Sequence, residues 1–157
     1  MKYFVFILSF FSSLVFASEA GRGCNIHWRN LDFHVGPRLK KLLDNEDNNL
    51  SYDFIIKFGN KKKIVLNKGK SFKEIKEVGR LITIEDFENS VEKLQLLQPK
   101  LKIQFRQEPY EVGEQLLGTW IIVEMKIKDM QALLKILEDE KLKYLLEIHL
   151  NENLKNN

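Results

Sequence analysis

The chain has 157 residues, of which 44% are hydrophobic and 30% charged, and a formal net charge of +3 at pH 7. Those proportions exclude a disordered polyelectrolyte, and the length supplies one core rather than several. A single cysteine, Cys24, excludes an internal disulfide framework.

The first element in chain order is a leader. Met1 and Lys2 precede an apolar run over residues 3–16, and Ala17, Ser18, Glu19 and Ala20 follow it. A positive start, an apolar centre and small residues behind it are the three parts of a secretory signal, with cleavage expected after Ala17 or Ala20. A membrane-spanning helix needs about 20 apolar residues, and this run is shorter. Residues 1–20 are therefore read as a signal peptide, residues 21–150 as one α+β domain and residues 151–157 as a polar tail. The implied location is periplasmic or extracellular, with no membrane-spanning segment left after processing. Gly21-Arg22-Gly23 makes a poor acylation box, which argues against a lipid anchor on Cys24.

Behind the leader, residues 25–35 alternate in two pieces whose phase slips between Trp28 and Leu31. Pro37 then opens a short helical stripe of Leu39, Leu42 and Leu43. Residues 52–58 and 62–66 are rich in β-branched and aromatic side chains, and Gly59-Asn60 between them predicts a hairpin. Ser71 and Glu74 have the spacing of a capping box, which predicts a helix ending near Gly79. A short strand is expected over residues 81–84. Residues 85–97 place Phe87, Val91, Leu94 and Leu97 on one helical face, and Pro99 closes that helix.

Leu101, Ile103 and Phe105 alternate with Lys102, Gln104 and Arg106, the pattern of a half-buried strand with the polar set turned away from the helices. A loop over residues 108–118 leads to a longer strand over 119–127. A helix carrying Met130, Leu133, Leu134 and Leu137 and a last strand over 144–150 complete the chain. This order, β-α-β then β-α-β over residues 80–150, is what a ferredoxin-like split β-α-β sandwich requires, here with an N-terminal β-hairpin and short helix as an extension. The second face of such a sheet carries Trp120, Ile122 and Leu145 among charges, and the N-terminal segment is expected to cover it.

Charge is the least uniform feature. Lys57, Lys61, Lys62, Lys63, Lys68, Lys70, Lys73, Lys76 and Arg80 stand against only Glu74 and Glu77, a net of +7 over residues 57–80. Residues 18–56 sum to −1 and residues 81–157 to −4. Such a cluster attracts polyanions: an anionic envelope polymer, or an acidic patch on a partner protein. The ordinary explanation is a solvated edge hairpin kept from aggregating by its lysines. Lysine without arginine or interleaved aromatics does not suit sequence-specific reading of nucleic acid.

Other chemistry is sparse. Gly69-Lys70-Ser71 lies before an expected helix, but a phosphate loop needs a glycine where Ile64 stands. Cys24, His27 and His34 are the candidate metal ligands, with Cys-x-x-His as the short arm. No nucleophile elbow, HExxH or cysteine–histidine motif is present. Glu108, Tyr110, Glu111 and Glu114 crowd the loop before the long strand without a partner residue to define a role. The expectation is a small exported binding or accessory domain without enzymatic activity or cofactor, meeting an anionic envelope component or acidic protein through residues 57–80. The alternatives are a small envelope enzyme, with its site in the 108–117 loop or on the open sheet face, and a metal carrier using Cys24, His27 and His34.

Overall fold

A computed structural model describes residues 26–45, 49–66, 73–77 and 81–152, with side chains omitted at Asn45, 62–66 and 73–77. The leader, Cys24, Gly69-Lys70-Ser71, Lys68, Gly79, Arg80 and residues 153–157 lie outside the described residues. Among those described, a short 3-10 turn (Trp28–Asn30) leads to β1 (His34–Val35), α1 (Pro37–Asn45) and β2 (Ser51–Phe58). A hairpin of β3 (Lys62–Leu66) and β4 (Lys73–Glu77) follows, then α2 (Ile84–Leu97) and β5 (Lys102–Arg106). After a second hairpin, β6 (Tyr110–Val112) and β7 (Gln115–Leu117), come β8 (Trp120–Lys126), α3 (Ile127–Asp139) and β9 (Leu145–Leu150). The protein is α+β, and no described helix is long and apolar enough to cross a membrane.

The main sheet has five strands in the order β1-β9-β2-β8-β5. β2 runs antiparallel to both of its neighbours, β5 antiparallel to β8, and only β1 is parallel to its partner, β9. Alternation along β2 explains its central place. Phe54, Ile56 and Phe58 are buried, and register aligns Phe54 with Val123 and Ile56 with both Ile121 and Ile148. Those residues form one side of a core whose other side is Leu39 and Leu43 of α1, Phe87, Val91 and Leu94 of α2, and Met130, Leu133, Leu134 and Leu137 of α3. The helical stripes read from the sequence therefore pack on a single face. Gln131 of α3 donates to the Leu43 carbonyl, and Gln98 at the end of α2 donates to the Asp129 carbonyl, which ties the three helices together.

Four expectations are corrected. Residues 52–58 and 62–66 do not form a hairpin: both edges of β2 are already taken, and β3 pairs with β4 instead. Gly59 is not a turn residue but a point of close approach, since a Cβ there would stand 2.7 Å from Leu146 Cδ1, and its N–H donates to the Tyr144 carbonyl. Asn60 accepts from the Ile82 amide and so binds the lead-in to α2. The helix expected from Ser71 is likewise replaced over Lys73–Glu77 by a strand, in which Ile75 lies opposite Ile64. Phe72, Ile75 and Val78 recur every three residues, a helical spacing, but pairing with β3 overrides it over Lys73–Glu77.

The third correction concerns residues 81–84. Ile84 begins α2, and Thr83 is its N-cap in a reciprocal capping box with Asp86. The first strand of the β-α-β order is thus β2, with β3 and β4 interposed before its helix, and the unit does not begin at residue 80. The fourth is that the second sheet face is not covered by the described part of the N-terminal segment. α1 lies with the other helices, and Ile55, Trp120 and Ile122 stay partly exposed.

Candidate functional site

The uncovered face is built by period-2 alternation and then altered by two bulges. β2 contributes Asp53, Ile55 and Lys57, and β8 contributes Trp120, Ile122 and Glu124 in register with them. On β9, His149 lies opposite Ile55 and Glu147 opposite Lys57, but the register slips before Leu145 pairs with Phe58. Leu145, expected on the polar face, is fully buried on the helix side as a result. On β5 the register slips between Ile103 and Phe105, leaving Gln104 as the extra residue. Phe105, expected to face the helices, is aligned with Ile122 and is 47% exposed. Arg106, expected to face away, places its guanidinium over the Phe87 ring and pairs with Glu88 of α2. Phe105 instead lies against Trp120, with ring centroids 5.4 Å apart.

Several polar groups on this face are paired. Lys57 Nζ is 3.3 Å from Glu147 Oε2, and His149 Nε2 is 2.9 Å from the same oxygen. The hydrogen bond to His149, helped by Lys57, holds the Glu147 carboxyl below the usual carboxylate range against the opposing effect of partial burial. The His34 ring lies 5.6 Å from that of His149. Gln104 donates to Glu124. Among the described residues no hydroxyl or thiol hydrogen-bonds to His149.

Trp120 also borders a groove of about 280 Å³ at the end of the sheet, formed with Lys57, Leu81, Ile82, Leu116 and Leu117 and with the exposed Gln115 of β7. The expected loop over 108–117 is in fact the β6–β7 hairpin, turning at Gly113 with φ 61. Glu108, Glu111 and Glu114 on it are exposed. Glu111 and Glu114 border a depression with Leu81, Ile82 and Thr83, and no histidine is among its described lining residues.

The basic cluster divides into three groups. Lys57 and Lys61 are held in ion pairs: Lys57 with Glu147, and Lys61 with Asp32 at 2.6 Å, a bond supplemented by the Leu142 carbonyl. Lys62, Lys63, Lys73 and Lys76 sit on the β3–β4 hairpin, where register puts Lys63 directly opposite Lys76 and Lys62 opposite Glu77. Lys68, Lys70 and Arg80 fall outside the described residues.

The candidate metal set is only partly described, because Cys24 lies outside the described residues. His27 is engaged by α3: its main-chain N–H donates to Glu138 Oε1 at 2.8 Å and its ring approaches Oε2 at 3.5 Å. His34 lies by His149 instead, and among the described residues no group of three His, Cys, Asp or Glu side chains could hold a metal ion. The Glu138 carboxyl is nearly enclosed, and the His27 main-chain donor, joined by Lys135, keeps its pKa below the ordinary value although burial opposes this. Neither the Phe105–Trp120 corner nor the Thr83 cap follows from the sequence reading. The first depends on a bulge that no glycine marks. The second was written in Thr83-Ile84-Glu85-Asp86, a cap spacing hidden in a β-branched run. Comparison with protein-family models, curated proteins and solved structures gave no match.

Proposed function

We propose that this chain is an exported, non-enzymatic binding domain on a ferredoxin-like sandwich, and that the lysine-rich excursion between β2 and α2 holds an anionic envelope polymer. The fold reading is supported by the antiparallel order β9-β2-β8-β5 and by helices that lead from β2 towards β5 and from β8 to β9. The export reading is supported by the tripartite leader over residues 1–20.

The single observation that carries the binding reading is the register of the hairpin. Like charges placed directly opposite each other in an antiparallel pair cost roughly 0.2–1 kcal/mol, and Lys63 faces Lys76 in a segment of net charge +7. A multivalent anion lying across the hairpin would relieve that repulsion, and counterion release would add to its affinity. Lys57 and Lys61 are excluded from the contact surface because carboxylates already neutralise them.

Retention of the purified chain on a sulfated polysaccharide resin is the test. The parent should elute late and move earlier with each increment of salt. Lys63→Glu combined with Lys76→Glu should elute near the void at low salt, with an unchanged circular dichroism spectrum. A double variant that elutes with the parent overturns the reading. Retention on immobilised acidic peptides with none on the anionic polymer would transfer the surface to a protein partner.

A further inference from the structure

We propose that the corner where Phe105 meets Trp120, with the groove beside it, is a binding site for a neutral oligosaccharide. The inference is independent of the lysine-rich hairpin. It begins from the bulge at Gln104, which turns Phe105 out of the helix-facing set and sets it against Trp120 on the uncovered face. Burial of Phe105 would have been the more stable arrangement for an aromatic ring, and bulges recur where a strand must re-aim a side chain towards a ligand. Outside the core an apolar ring 47% exposed gains little unless something covers it.

Shape and charge select the occupant. The groove of about 280 Å³ opens beside Trp120, with Leu81, Ile82, Leu116 and Leu117 as apolar walls. Among its described lining residues Lys57 is the one charged side chain, and Glu147 neutralises it at 3.3 Å. The surrounding face holds Asp53, Glu124 and Glu147 against Lys57, Lys102 and Lys126, so its charges balance. A polyanion gains no net attraction from that balance, which separates this site from the hairpin. A purely apolar ligand would strip water from Gln115, Lys57 and the half-exposed carboxylates without replacing their hydrogen bonds. A pyranose fits both demands. Its C–H face covers an aromatic plate, and its equatorial hydroxyls both donate to carboxylate oxygens and accept from amide and ammonium groups.

The probes are the neutral hexamers of β-1,4-glucose, α-1,4-glucose and β-1,4-N-acetylglucosamine, titrated into the intact chain by calorimetry and by Trp120 fluorescence in a Trp28→Phe background. At least one should saturate with a Kd in the millimolar range or tighter, and about 0.5 M NaCl should leave that Kd unchanged. Phe105→Ala should weaken it at least about tenfold while the urea midpoint stays near that of the parent, because Phe105 lies outside the core. Trp120→Ala should do the same by calorimetry. No saturable binding of any hexamer up to about 10 mM overturns the proposal. So does binding that survives both aromatic substitutions, and so does binding that disappears with salt and with Lys63→Glu and Lys76→Glu, which would place the sugar on the hairpin.

Discussion

Ile55 and Ile56 are adjacent on β2 yet should respond very differently to truncation. Ile56 is fully buried between Ile121 and Ile148 on the helix-facing side. Ile55 lies between Ile122 and His149 on the uncovered side and is partly exposed. Ile→Ala removes three carbons, which is about 2.4 kcal/mol of transfer free energy at roughly 0.8 kcal/mol per methylene. At Ile56 the enclosing core cannot collapse fully, and the residual cavity raises the cost to about 3–4 kcal/mol. At Ile55 water already reaches part of the side chain, so about two thirds or more of the transfer term is lost but no closed cavity forms, a cost of about 1.5–2 kcal/mol. Loss of strand propensity is common to both and cancels in the comparison. Urea titrations of the two variants, followed by circular dichroism, measure the difference, expected to be about 1–2.5 kcal/mol at equal m-values. Equal costs would refute the two-layer arrangement, because they would mean that the second face of the sheet is packed as tightly as the first.

Other consequences follow from the same geometry. Thr83→Ala should destabilise the chain by about 1 kcal/mol by removing the cap of α2, and Thr83→Ser should restore most of that in urea titrations. Gly118 adopts φ 74, with the Glu108 carbonyl 3.1 Å and Gln107 Cγ 3.0 Å from where a Cβ would stand, so Gly118→Ala should cost about 1–2 kcal/mol or more. Gly113 shares the left-handed conformation but has nothing within 4 Å, so Gly113→Asn should leave the urea midpoint close to that of the parent. The carboxyl of Glu138 titrates below its ordinary value in the folded chain, so its stabilisation is complete above the unfolded pKa and fades as pH falls through the folded one. Glu138→Gln should therefore be less stable than the parent at neutral pH, with the gap closing as pH falls through and below the ordinary glutamate range. A gap that is constant with pH would contradict the His27 anchor.

What could be read from the sequence was whatever a single period decides. The apolar stripes of α2 and α3 and the alternation of β8 lie where periodicity put them, because burial on one face imposes a repeat that the residues display. Pairing was not legible. β2 carries the residues of a hairpin arm, but its partners β8 and β9 lie more than 60 residues downstream, and long-range pairing leaves no local signal. Bulges were equally hidden. One unpaired residue at Gln104 exchanges the faces of Phe105 and Arg106, so the aromatic corner cannot be found by counting alternate positions. The basic segment was visible as composition, but that Lys57 and Lys61 are engaged by Glu147 and Asp32 required the fold, since these carboxylates come from distant parts of the chain.

The most direct test of the binding account is the salt dependence of affinity for a sulfated oligosaccharide, measured for the parent and for the Lys63→Glu and Lys76→Glu variants. Log Kd for the parent should rise linearly with log salt, and each substitution should reduce that slope by about 1 or more. A slope near zero for the parent, or the same slope in all three proteins, would contradict it.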